Sequence, residues 1–325
     1  LKLLVLSAAD VARLLPMAAC IDVMAGALAD LARGSVEQPL RTVLKPAAAP
    51  GLMAFMPAYR AGAFGVKVVG VFHGNAARGM DSHQGAVLLF DGATGEPLAA
   101  MNASAVTSIR TAAVSGLATR LLANAGAGDL AILGAGVQAR SHLVAMACVR
   151  PLRRVRVASH SLEGARRFAS EMAGESPVPI EAVASPEQAL RGADLVVTAT
   201  SAAEPILRRE WIVDGAHLNV VGASLPTRRE VDGATIGAAA LFVDRRESAE
   251  NEAGDYLLAV REGAAPAGCI RAELGEVVIG AKPGRTSPGQ ITLFKSLGLA
   301  IEDLAAAQHL YARACAAGSG TAVDF

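Results

Sequence analysis

A glycine turn near the middle of this 325-residue chain sets the strongest limit on how it folds. Asp129-Leu130-Ala131-Ile132-Leu133 reads as an apolar strand. Gly134-Ala135-Gly136-Val137-Gln138-Ala139 follows at once, and residues 138–149 carry a helical pattern. Gly134 permits a tight turn, Gly136 lets the backbone approach a bound group, and Ala139 is small enough for close helix–strand packing. The N–H groups at such a helix start face an anion. A lone match to this glycine spacing is weak. Set between strand and helix, it points to the pyrophosphate of a dinucleotide.

The surrounding pattern agrees. A long helical pattern covers 106–123 and ends near Asn124 and Gly126. Strands are expected at 155–159, 194–200, 217–222 and 240–244, with a helix at 162–172 after the first of these. Such alternation means βαβ units and a parallel sheet covered on both faces. The first third differs. Residues 1–7 read as a strand. A helical pattern then runs from Asp10 through Val11, Leu14, Leu15, Cys20, Ile21, Met24, Leu28 and Leu31, stopping near Gly34. Strands follow at 41–44, 52–59, 63–71 and 85–90, with a hairpin turn at 91–95. Residues 297–317 are helical again. The expected fold class is α/β: a Rossmann dinucleotide-binding domain with a second, α+β domain.

Hydrophobic residues make up 52% and aromatic residues 4%, so the core is built mostly from Ala, Val and Leu. Thirty basic and thirty acidic residues balance to zero, which gives no global electrostatic pull toward nucleic acid or an acidic membrane. The N-terminal apolar run is too short for a signal peptide, and no apolar stretch reaches the roughly 18 residues of a membrane span. Cys20, Cys148, Cys269 and Cys315 are scattered, which fits a reducing compartment without structural zinc. His73, His83, His142, His160, His217 and His309 show no metal-ligand spacing. A soluble cytoplasmic protein without a metal is expected.

The second strand of the alternating region bears on the dinucleotide. An NAD site usually ends this strand in Asp or Glu, which takes the ribose hydroxyls. Here the end reads Ala158-Ser159-His160-Ser161. A carboxylate repels a 2′-phosphate, whereas two hydroxyls and an imidazole can donate to it. Arg166 and Arg167 lie further on. NADP(H) is favoured. NAD(H) stays open, with Ser159 bonding its ribose or capping the next helix. Thr198-Ala199-Thr200-Ser201 closes another strand at the carboxyl edge, where ligands sit in such folds.

Further segments carry a resemblance. Asp81-Ser82-His83-Gln84-Gly85 and Asn102-Ala103-Ser104-Ala105-Val106-Thr107-Ser108-Ile109-Arg110-Thr111-Ala112-Ala113 are similar to the ornithine cyclodeaminase/μ-crystallin family. So are Leu133 through Arg140, Val221-Gly222-Ala223-Ser224, and Leu293-Phe294-Lys295-Ser296-Leu297-Gly298, all in family order. The resemblance implies a substrate-binding and dimerisation domain over 1–116 plus 303–325, a Rossmann domain over 117–302, and a homodimer. It matches Arg41, Lys67 and Arg110 to substrate-binding basic residues. Ser82, Arg110, Gly136, Val137, Gln138, Ser159, Thr200, Val221, Gly222, Ala223, Arg228, Ser296 and Leu297 match positions near the cofactor, and Leu297 also faces the substrate. With the turn residues Gly134 and Ala135, and with His160, Ser161, Ser201 and Ser224, these form the expected cofactor set. Cyclodeaminases of the family carry a catalytic aspartate where this chain has Ser224. Its ketimine reductases and μ-crystallins carry serine.

The basic residues also have a direct reading. Lys67 lies inside Val66-Lys67-Val68-Val69, where burial disfavours the ammonium; a lysine snorkelling from an exposed strand face is the plain alternative. Arg110 falls near the start of a long helix, where a cation opposes the dipole unless an anion is held there; a salt bridge to an unseen acid is the alternative. Met53, Met56 and Tyr59 are candidates for an apolar substrate wall, or for ordinary core. The expected partner is a small anionic imino or amino acid. Lys67 is the expected catalytic residue, with Arg41, Lys67, Arg110, Met56 and Leu297 binding substrate. The leading expectation is NAD(P)H-dependent reduction of a cyclic ketimine carboxylate. Ornithine cyclodeaminase, amino-acid or N-alkyl-amino-acid dehydrogenase, and a non-catalytic μ-crystallin-like binder stand beside it.

Overall fold

The computed structural model describes residues 2–325, without the side chains of His73, Ala76 and Ala77. The chain divides into two units, Leu1–Thr111 with Gly298–Phe325, and Ala112–Leu297. The boundaries fall five residues earlier than the sequence reading set them. At the second one, Leu297 N donates to Asp244 Oδ2 at 2.6 Å within unit 2, while Gly298 turns with a positive φ of 79°.

Unit 1 begins with β1 (Lys2–Leu6), α1 (Ala8–Leu14) and α2 (Met17–Ala32). The sequence suggested one helix here. Pro16 lacks a backbone N–H and stands as the N-cap of α2, so the two helices meet at 83°. Short β2 (Val36–Glu37) and β3 (Thr42–Leu44) lead to β4 (Leu52–Arg60), β5 (Ala63–Val71), β6 (His83–Asp91) and β7 (Pro97–Asn102). The sheet order is β16-β1-β7-β6-β5-β4-β2, with β3 also on β4. Its last member, β16 (Thr321–Asp324), pairs antiparallel with β1 and was not anticipated. Burial alternates along β4 and β5, as one buried face requires: Ala54, Met56 and Ala58 are inside, as are Ala63, Gly65, Lys67 and Val69. Helices α2 and α11 (Ala300–Ala317) pack on each other, and α11 covers β4 and β5.

The boundary between units falls inside helix α3 (Ala103–Leu122). Unit 2 then runs β8 (Asp129–Leu133), α4 (Val137–Val149), β9 (Arg154–Ala158), α5 (Leu162–Glu171), β10 (Ile180–Ala182), α6 (Pro186–Leu190) and β11 (Leu195–Thr198). After β12 (His217–Val220) come α7 (Gly233–Ala238), β13 (Ala240–Val243), α8 (Arg246–Glu252), α9 (Gly254–Arg261), β14 (Ile270–Glu273), α10 (Leu274–Val278) and β15 (Thr292–Lys295). The order β10-β9-β8-β11-β12-β15-β13-β14 is that of a doubly wound sheet, and these pairings are parallel. Strand order reverses between β8 and β11, which places a ligand crevice at their carboxyl ends. Among the described residues, no single helix is long and apolar enough to cross a membrane.

Candidate active site

In unit 1 the buried sheet face carries a charge cluster. Lys67 sits opposite Met56 on β4 and opposite Val87 on β6, so all three point toward α11. Lys67 is only 3% exposed. Its ammonium lies 2.7 Å from Asp303 Oδ2 and 3.4 Å from Thr107 Oγ1. Arg110 donates from Nε to the other oxygen of Asp303 at 3.0 Å and from Nη1 to Glu302 Oε2 at 2.6 Å. Arg41 Nη2 donates to the Gly298 carbonyl at 3.1 Å. A Cβ on Gly298 would stand 2.5 Å from Arg110 Nη1, so this linker backbone touches both arginines.

These contacts set the charge states. Burial pulls the Lys67 ammonium down from 10.5 to about 8; Asp303 opposes that pull, and Arg110 and Arg41 add to it. Burial also opposes the charge on Arg110, but Asp303 and Glu302 outweigh it and hold the guanidinium above its ordinary value. The buried Lys67 and Arg110 are balanced by the buried Glu302 and Asp303, and the part-buried Arg41 acts on Lys67 as a further cation.

Two sequence expectations change. Arg110 stands two turns into α3, beyond the reach of the helix-start dipole, and pairs with acids. Glu302 and Asp303 are the acids that face the cations. Met53 and Tyr59 do not join Met56 in one wall, since the two-residue strand period turns them to the opposite face. There Pro57, Tyr59, Phe64, Val66 and Phe90 line much of a cavity of about 630 Å³ that contains none of the basic residues. Ser82 lies in the loop before β6, with its hydroxyl 3.0 Å from His83 Nδ1.

In unit 2 the expected dinucleotide residues gather at the carboxyl edge. Gly134 takes φ 121°, and a side chain there would strike the Ala199 carbonyl. Gly136 caps α4 without any side-chain cap, and nothing lies within 4 Å of where its Cβ would be. Ala135 precedes this open position. Val137 is 54% exposed at the first helical position, while Ala139 is fully packed. Gln138 Oε1 is buried without a partner among the described residues. An uncapped helix start and an open cradle fit a bound pyrophosphate.

The β9 tip lacks a carboxylate, and His160 is exposed. Ser161 caps α5 through Gly164 N, and Ser159 Oγ donates to the Ser161 carbonyl at 2.7 Å. The helix cap offered as an alternative for Ser159 is made by Ser161 instead. At the β11 end, Thr200 turns its hydroxyl inward to Glu230, and Ser201 stays exposed, its carbonyl taking Arg228 Nη1 at 3.2 Å. After β12, Val221 N donates to the Thr198 carbonyl, Ala223 is buried and Ser224 is exposed. Ser296 N donates to the Val220 carbonyl at 3.1 Å, and Leu297 is part of the apolar core.

Sequence reasoning missed Glu302, Asp303, Glu230, Asp255 and Lys295. Burial raises the Glu230 carboxyl, against the pull of Lys295, Thr198 and Thr200. His142 and His217 are core groups, pushed by burial to about 4 and about 3 and therefore neutral.

By fold this is an α/β protein with a Rossmann-type unit and a second unit that buries a lysine–arginine–carboxylate cluster. Residues 2–318 match the ornithine cyclodeaminase/mu-crystallin family, and the chain belongs to that family. It is 43% identical over 296 residues, 90% of each chain, to the ketimine reductase mu-crystallin of Mus musculus. It is 36% identical over 326 residues to the Delta(1)-pyrroline-2-carboxylate reductase of Bacillus cereus, covering 99% of this chain and 100% of that one. A solved structure of Thermococcus litoralis Delta(1)-pyrroline-2-carboxylate reductase, in complex with NADH and L-proline, is similar with a TM-score of 0.95. That likeness is at 38% identity over 98% of this chain and 99% of that one.

Proposed function

We propose that this protein is an oxidoreductase that reduces a cyclic ketimine carboxylate to the cyclic amino acid with a nicotinamide dinucleotide. Δ1-Pyrroline-2-carboxylate and Δ1-piperideine-2-carboxylate are the substrates in view. The observation that carries this reading is the buried Lys67–Asp303–Arg110 cluster, which sets an ammonium beside a guanidinium with Arg41 acting as a further cation, a setting that suits a substrate carboxylate. The reductases to which the chain is similar support it.

Arg110 and Arg41 hold the substrate carboxylate and fix the ring. Lys67, charged below about pH 8, gives its proton to the imine nitrogen, which makes the imine carbon electrophilic. The dinucleotide, when bound, supplies the hydride. Gly134 to Gln138 hold its pyrophosphate, with Thr200, Val221 and Gly222 at the opposite half of the crevice. NADP(H) is the favoured form, because the Ser159-His160-Ser161 tip has no carboxylate and Arg166 and Arg167 are exposed on α5. Ser224, in place of the cyclodeaminases' aspartate, speaks against ornithine deamination. The resemblance supports a homodimer.

The test follows NADPH and NADH absorbance with Δ1-pyrroline-2-carboxylate, in parallel with ammonia release from ornithine and NAD. Cofactor oxidation in the first assay alone is expected, with higher kcat/KM for NADPH. Ammonia release in the second overturns the reading.

A further inference from the structure

Glu230 takes no part in the chemistry above, yet its carboxylate joins two strand ends of unit 2. Oε2 accepts from Thr198 Oγ1 at 2.7 Å and from Gly222 N at 2.6 Å. Oε1 accepts from Thr200 N at 2.7 Å and from Thr200 Oγ1 at 2.8 Å. The side chain is fully buried. Its backbone is held in turn: Asp255 Oδ1 accepts from Glu230 N at 2.7 Å and from Val231 N at 3.1 Å, and Asp255 Oδ2 lies 3.0 Å from Lys295 Nζ on β15.

A carboxylate in such a place is a poor choice for stability alone, since apolar packing replaces buried ion networks at little or no cost. What it does provide is geometry. Four donors, all from the ends of β11 and β12, converge on two oxygens, so the loops after these strands are fixed relative to each other. In a doubly wound sheet of this order, β8 and β9 serve the adenosine half of a dinucleotide, while β11 and β12 serve the nicotinamide half. We propose that Glu230 is a positioning residue for the nicotinamide half: it sets the spacing of Thr200 and Gly222 that this half requires. The proposal rests on the reading that unit 2 binds a nicotinamide dinucleotide.

Glu230→Gln tests it. The amide keeps the shape but turns an N–H₂ group toward N–H and O–H donors. NADH and ADP are titrated separately by calorimetry against the wild type and the variant, with thermal unfolding as a fold check. Kd for NADH is expected to rise about tenfold, the scale of a lost charged hydrogen bond, while Kd for ADP stays within about twofold. Unchanged NADH affinity overturns the proposal. So does an equal loss for NADH and ADP, which marks a general loosening of the unit. Where Glu230→Gln does not fold, Thr198→Val removes one buried donor at nearly constant shape. It is expected to weaken NADH about threefold and to spare ADP, and no weakening overturns the proposal. A wild-type protein that binds ADP but neither NADH nor NADPH overturns the nicotinamide reading itself, a result distinct from any behaviour of the variants.

Discussion

Lys67 is held charged against its burial by a single carboxylate, so its protonation should govern the pH dependence. The ammonium is present below about pH 8 and lost above it. Reduction of the imine needs that proton, so kcat/KM for reduction should fall as pH rises through about 8. Oxidation of the cyclic amine needs the free amine and should rise over the same range. Lys67→Met should lower turnover at least about 100-fold, the usual contribution of a positioned acid, with NADH affinity unchanged. A flat pH–rate profile from about pH 7 to about pH 9, or an active Lys67→Met variant, removes Lys67 from the chemistry. Lys67 was legible because a charge interrupts an apolar strand. Its partner was not. Glu302 and Asp303 lie in the first turn of α11, where acids normally complement the helix dipole and draw no notice. Only the fold brings them to Lys67 and Arg110, across 236 and 193 residues of sequence for Asp303.

At the level of elements, the linker between β15 and α11 carries a sharp constraint. Gly298 adopts φ 79°, a conformation that costs a residue with a Cβ about 1–3 kcal/mol. The added methyl would also press on the Arg110 guanidinium. Gly298→Ala should therefore lower the unfolding midpoint and raise KM for the imine several-fold, with Kd for NADH unchanged. Steady-state kinetics beside NADH titration reads this directly, and an unaltered KM would show that Arg110 is not held through this linker. The strands of unit 1 and the βαβ rhythm of unit 2 were legible because their periods are two and 3.6 residues. The bend at Pro16 was missed because apolar residues continue at helical spacing on both sides of it. Strand β16 was missed because Thr321-Ala322-Val323-Asp324 is short and exposed, and only pairing with β1 defines it.

For the molecule as a whole, charge balance decides how an anion is captured. Thirty basic and thirty acidic residues sum to zero, so no net field draws an anionic substrate from a distance. The balance was readable from composition; the buried pairing of Lys67 and Arg110 with Glu302 and Asp303 was not, because it depends on which side chains the fold assembles. Surface attraction is screened beyond about 8 Å at physiological salt, whereas a buried pair is screened much less. Capture by the Lys67–Arg110 cluster should therefore be nearly insensitive to salt. At saturating reduced cofactor, kcat/KM for the imine should change less than about twofold between about 50 and about 300 mM NaCl. A tenfold fall over that range would place the decisive attraction on exposed charges and deprive the buried cluster of its role in binding.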